Sequence, residues 1–337
     1  MASSTGSGAG GGSLEVLCEG EPDELSLSGT WAAFGRLDVK LKGVLGGPIT
    51  LCPVDQVNQA TMLLMITIDQ APQTTELTGV RATLCSIELP MVTALVGDCN
   101  EASDNLVSTQ IGVPTALLDA LPNVATSVVS GALAGSENGA GVNFERFVVT
   151  VGSTKSGDDL PSWDEAAPRC DSLAVGRTDV CEEACVEGCA AVRDDEGDGY
   201  PGVTAEVCGK TVSDVENGVV CHAENPNEPG ATLQGRAFLT LEVDPKLDGV
   251  AKSSCEIEGT VASGVLYHLI GGDIYLGSAP ITVAAAIKSL PTFEVNVQSS
   301  KFRMVRIDGL YGAPDFGVDP EQAQAACSEI RMHINEL

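Results

Sequence analysis

A mainly β protein is the fold class this sequence predicts, and three observations carry that expectation. The first is composition: hydrophobic residues make up 43% of the 337, aromatics only 4%, and there are 38 glycines. That supplies enough apolar material for a core of small and β-branched side chains on pleated surfaces, with glycines at the turns. The second is patterning. Period-two or buried-run stretches fall at 35–41, 60–69, 80–89, 144–151, 235–243, 250–261, 293–297 and 302–308, against helical stretches at 114–120, 180–192, 283–289 and 320–335. The third is an internal repeat.

Leu77, Gly79, Val80, Cys85, Ile87 and Glu88 share the spacing L-x-G-V-x4-C-x-I-E with Leu247, Gly249, Val250, Cys255, Ile257 and Glu258. Flanking echoes keep the same order, from Leu27 and Gly29 against Leu233 and Gly235, to Pro161, Trp163 and Cys170 against Pro314, Phe316 and Cys327. Self-similarity of this kind predicts two homologous modules, each a β-sandwich or a β-barrel. The expected division is a flexible tether at 1–24, a first module at 25–170, a cysteine-rich insert at 171–231 and a second module at 232–337.

Twelve cysteines without a C-x-x-C doublet, beside only three histidines, read as a disulfide framework in an oxidising compartment. Equivalence of the modules predicts Cys85–Cys170 and Cys255–Cys327, each tying a central strand to its module's tail. Cys181, Cys185 and Cys189, four apart on a helix face, are expected to reach partners elsewhere. The insert also holds Cys208 and Cys221, so at least one of these five would cross to Cys18, Cys52 or Cys99.

A net charge of −29 repels a phosphate backbone and an anionic membrane surface, so nucleic acid is excluded as a partner, while cations are favoured. No apolar run approaches the ~20 residues of a membrane-spanning helix. The opening stretch, rich in glycine and serine over residues 1–13, resembles the tether that follows a bacterial lipoprotein cleavage site. That resemblance implies an N-terminal lipid tether, with the chain outside the cell, in the periplasm or on the outer surface of a bacterium.

Within the insert, Asp194, Glu196 and Asp198 alternate ahead of Gly199, Tyr200 and Pro201. This stretch resembles the D-x-D-x-D-G-x-P loops of thrombospondin type 3 repeats and the EF-hand-like loops of dockerins and other secreted bacterial proteins. The resemblance implies a bound Ca2+ that stiffens the insert. Asp194, Glu196 and Asp198 would give side-chain oxygens, Tyr200 a carbonyl and Gly199 the sharp turn. Position twelve is Ala205, which leaves Glu206 one place late as the closing ligand.

Catalytic signatures are missing: there is no G-x-S-x-G, H-E-x-x-H or P-loop, and His222, His268 and His333 lie far apart. The repeated Glu88 and Glu258 are the one carboxylate pair to weigh for hydrolysis. Gly29-Thr30-Trp31 resembles the G-x-W signature of lipocalins, which implies an apolar ligand inside a barrel, with 61–68 and 261–270 as candidate lining. The leading expectation is a non-enzymatic, calcium-stabilised structural or binding protein of the cell surface, self-associating or held to an envelope partner. A carrier of an apolar ligand comes second and a carboxylate hydrolase third.

Overall fold

Long alternating runs make long strands in this chain, and their pairing closes a ring. The computed structural model describes residues 18–20, 22–43, 49–52, 55–90, 92–96, 106–164, 166–167, 170 and 181–337. The ring strands are β1 (Gly29–Lys42), β2 (Asp55–Gln70), β3 (Glu76–Glu88), β4 (Val129–Leu133), β5 (Gly141–Phe144), β6 (Lys246–Ser253), β7 (Glu256–Ala262) and β8 (Lys301–Arg306). Each pairs antiparallel with the next, and β8 returns to β1. Closure removes the exposed edges on which sheets otherwise recruit other chains.

Alternation decides which side chains fill the ring. Trp31, Ala33, Leu37, Val39 and Leu41 of β1 point inward with Ala60, Met62, Leu64, Ile66 and Ile68 of β2, and they meet Leu77, Phe144, Ile257 and Met304 across the core. The intervening residues face out, where Ala32, Leu63, Met65 and Cys85 are covered by Phe316 and by Ala326, Cys327 and Ile330 of the helix Ala323–Met332. That helix lies within the stretch 320–335 read as helical. A disulfide, Cys85–Cys327, fastens it to the wall.

Arg306 closes one end of the ring. Its guanidinium is fully buried, lies 4.6 Å over the Trp31 ring, and donates to the carbonyls of Ser254, Ser28 and Ser26 and to Asp308 Oδ2. Burial pulls the Arg306 pKa down, and Asp308 opposes that shift.

A second antiparallel sheet runs in the order Ala279–Pro280, Val265–Leu276, Leu233–Val243, Val203–Lys210, Leu106–Gly112, Val92–Val96 and Ile49–Leu51, with Val149–Val151 added beside Leu233–Val243. Val92, Val203 and Val243 from it join the ring's core cluster.

The mainly β class holds, but segments 25–170 and 232–337 do not each close a sheet alone. β1 to β5 come from the first and β6 to β8 from the second, and both sheets mix the two. The segment 171–231 is likewise woven in, since its strand Val203–Lys210 sits between Leu106–Gly112 and Leu233–Val243. The repeated motif also takes two shapes. Residues 77–88 lie in the single strand β3, whereas 247–258 turn back on themselves between β6 and β7, with Cys255 in the turn.

That difference overturns both disulfide assignments. Cys85, facing out from β3, bonds Cys327, and Cys255, in the turn at the ring's closed end, bonds Cys18. Cys170 bonds Cys185. Cys181–Cys189 is local, because 181–192 forms turns, a short strand and a 3-10 turn rather than the expected helix, and Cys208–Cys221 is a second local bridge. Cys52 is disulfide-bonded as well, and Cys99 lies outside the described residues. Of the remaining strand stretches, 144–151 is interrupted, with strands only at Gly141–Phe144 and Val149–Val151.

Replacing Arg306 by Met strips the buried Ser254 carbonyl, the half-buried carbonyls of Ser26 and Ser28, and Asp308 of their donor. The expected loss is about 3–5 kcal/mol in urea unfolding, read as a lower midpoint at unchanged slope. Arg306→Lys should be nearly as damaging, because a single ammonium cannot span four acceptors on separate segments.

Candidate binding chamber

At the end of the ring away from Trp31, β1 and β2 outrun β8. β1 pairs β8 over Trp31–Arg36 and then the strand Thr292–Val295 over Val39–Lys42. The extended wall faces the second sheet, and a chamber of about 190 Å³ lies between them. Leu37, Val39, Ala60, Phe293 and Val295 line one side, with Ile111, Ala205, Val207, Ala237 and Leu239 opposite. Ile281, Ala286, Leu290 and Pro291, on and beside the helix Val283–Ile287, close it.

Small side chains make the space. Ala205 and Ala237 stand directly opposite each other in the second sheet, and Ala60 and Ala286 also face the chamber. A sealed and empty core cavity of this size would cost about 4–5 kcal/mol by the measured scaling. An apolar cavity of ~150 Å³ engineered in another protein stays dry and takes up benzene.

The lining contains no charged side chain among the described residues, and its polar groups are Thr109, Tyr267 and Ser289. Tyr267 donates its hydroxyl to the Pro291 carbonyl, sits edge-on to Phe293 at 5.2 Å, and has its pKa pushed up by burial. Ser289 donates to the Ala285 carbonyl at 3.2 Å. A surface groove of about 430 Å³ lies against the same wall, sharing Val265, Tyr267, Leu269, Leu290, Pro291 and Phe293 with the chamber.

The two stretches expected to line a barrel divide between core and chamber. Met62, Leu64 and Ile66 fill the ring, while Val265, Tyr267 and Leu269 reach the chamber. Gly29-Thr30-Trp31 opens β1, with Trp31 buried at the closed end and its indole N–H donating to the Leu27 carbonyl at 2.9 Å. The alanines and Thr109 carried no local signal, because each reads as an ordinary strand interior.

Asp194, Glu196 and Asp198 share the turn leading into Val203–Lys210. Asp194 accepts from the backbone N–H groups of Gly197, Asp198 and Gly199, and Asp198 accepts from the Tyr200 N–H and the Thr204 hydroxyl. Glu196 accepts from the Thr204 N–H through Oε1, while its buried Oε2 has no partner. Burial, reinforced by Asp198, pushes the Glu196 carboxyl up to about 7.

Tyr200 stacks on Phe238 at 4.8 Å and receives a hydrogen bond from Arg236. The Glu206 carboxylate lies near Gly112 of the next strand. Among the described residues, no three acidic, cysteine or histidine side chains close around a metal-sized point. Asp195, which carried no role in the loop register, ties the turn to the fold by accepting from the Gly152 N–H at 2.6 Å.

Glu88 and Glu258 do not meet. Both are exposed, on β3 and β7, four strands apart around the ring in either direction, with Glu88 accepting from Thr61 and Glu258 paired with Lys252. That pair therefore cannot share acid and base roles on one substrate. The histidines are also separate: His222 is 4.0 Å from Glu228, His268 is 3.3 Å from the Leu160 carbonyl, and His333 stacks on Phe316. Among the described residues, no helix is long and apolar enough to cross a membrane. The chain matches no protein-family model and no curated protein.

His333 lies 2.9 Å from Glu336 and 3.2 Å from Glu329, and these contacts raise its pKa. Because the folded value exceeds the unfolded one, its stabilisation is present below the unfolded pKa of ~6.5 and fades as pH rises through the folded value. NMR titration should show native His333 titrating above its unfolded value, and Glu329→Gln with Glu336→Gln should bring it back.

Proposed function

We propose that this is a non-enzymatic, extracellular binding protein that holds a small apolar molecule in the chamber between the ring wall and the second sheet. The observation that carries this reading is the chamber itself, about 190 Å³ and walled almost wholly by carbon. A bound apolar molecule would recover the contacts that the small side chains forgo there, since the facing alanines leave space that larger residues would occupy. The disulfides suit an oxidising compartment. The glycine- and serine-rich start would tether the chain at the cell envelope.

A second role rests on Glu196. Its unpartnered, buried Oε2 beside Asp198 is what a hard cation would satisfy, and neighbouring carboxylates fit the oxygen preference of Ca2+. Asp194, Glu196 and Asp198 would hold the ion, whose charge would replace the repulsion between carboxylates and stiffen the entry to Val203–Lys210.

Ethylbenzene is a suitable first probe. At about ten times its Kd it should raise the wild-type Tm by about 2 °C. Ala237→Leu, which takes up part of the chamber, should fold with an equal or higher Tm and show a smaller rise. A wild-type Tm indifferent to ethylbenzene and to other apolar probes of this size would remove the proposal.

For the cation, calcium should raise the wild-type Tm above its value in EDTA, and Glu196→Gln should lose that difference. Equal wild-type melting in calcium and in EDTA would count against the ion.

A further inference from the structure

The outer face of the ring carries a groove of about 910 Å³ across β1, β8, β7 and β6, which shares no lining residue with the chamber. Four cations line it, Arg36, Lys252, Lys301 and Arg303, beside one acid, Glu258. In a chain with 18 basic against 47 acidic residues, that local balance is inverted. Two of the four are paired: Lys252 lies 3.6 Å from Glu258, and Arg303 lies 2.6 Å from Glu256.

Arg36 and Lys301 are not. They stand directly opposite each other in the β1–β8 pairing, both are exposed, and among the described residues neither makes an ion pair. The same row continues to Thr61 on β2 and Thr260 on β7. Acids follow beyond those threonines, where Glu88 accepts from Thr61 and Asp248 pairs with Lys246. Asp38, two residues along β1, accepts from Gln59. Like charges directly opposite on neighbouring strands are destabilising, and an anion bound between them would reverse that sign.

Directly opposite side chains start about 4.5–5.5 Å apart at Cβ, so both cations can reach one small group. Two unpaired positive charges at one point match a dianion. A phosphate monoester carries about −1.5 to −2 at pH 7 with three acceptor oxygens, which the arginine fork suits. Phe34, 5.7 Å beneath the Arg36 guanidinium, gives the groove an apolar surface together with Val250 and Ile334.

We propose that this groove binds a small phosphomonoester with an apolar body, its phosphate held between Arg36 and Lys301. The Debye length is about 8 Å at physiological ionic strength, so these two cations set the local field. A nucleic acid or an anionic membrane would meet the repulsion of the whole chain, whose net charge is −29, so the ligand is a free molecule.

The test titrates phenyl phosphate, with phenyl sulfate as its monoanionic analogue, by calorimetry at pH ~7.5 and ~0.1 M salt. Wild type should bind the phosphate about tenfold or more tightly than the sulfate. Arg36→Gln and Lys301→Gln should each weaken the phosphate about tenfold or more. Lys155→Gln, an exposed lysine outside the groove, should change it by less than about twofold. Without ligand, Lys301→Gln should melt at or above the wild-type Tm, because the repulsion is relieved. No binding to wild type at ~10 mM, equal binding by wild type and both groove variants, or equal affinity for the sulfate would overturn the proposal. So would a clear fall in Tm for Lys301→Gln, which would give the pair to the fold. Wild type that binds phosphatidate vesicles but not phenyl phosphate would overturn the free ligand.

Discussion

The fold depends on one buried cation in an acidic chain. Arg306 spreads its donors over carbonyls of Ser26 and Ser28 before β1, of Ser254 between β6 and β7, and over Asp308 just past β8. Those segments are far apart in sequence and meet only where the ring closes. The planar, forked guanidinium suits this task, since it offers several directed donors and loses little order in placing them. Trp31 beneath it stands directly opposite Arg306 in the β1–β8 pairing. Fixing that contact fixes the register. A slip of one residue would turn the inward set of β1 out to solvent.

Closure of this kind makes the chain fold as one interleaved body. The ring uses strands from before residue 171 and after residue 231, so its pairings span long loops and must wait for distant segments to meet. Two disulfides bridge the same divide, with sequence separations of 237 and 242. Three further bridges among the described residues are short, with separations of 15, 8 and 13, and they staple loops around the second sheet. Long bridges hold the halves together, and short ones replace a core that turns and loops cannot build.

What the sequence made legible was local. The inward alternation of β1 and β2, the C-terminal helix and the acidic turn were each readable from a dozen or so consecutive residues. The repeat was real as a spacing but silent about geometry. β3 continues as a strand through Thr83, Leu84 and Cys85, whereas Ser253, Ser254 and Cys255 at the matching place reverse the chain. A cysteine in a wall and a cysteine in a turn then face different neighbours, so equal spacing did not mean equal partners. The chamber was the least legible feature. Its volume comes from alanines on the ring, the second sheet and a helix facing one another, and each alone is an unremarkable core residue.

The two ends of the ring show how the hole is kept. At the Trp31 end, packing and hydrogen bonding are dense, and Arg306 leaves no acceptor idle. At the other end, the same long strands carry the wall past β8, over small side chains. A flexible wall would sag inward and recover the lost contacts, because protein interiors close up where they are free to do so. Here β1 is paired on both sides along its extension, with β2 on one and Thr292–Val295 on the other. The rigid pairing that the closed end imposes is therefore the condition for the open end to stay hollow. The departure from close packing falls at the chamber, which is where a binding role would put it.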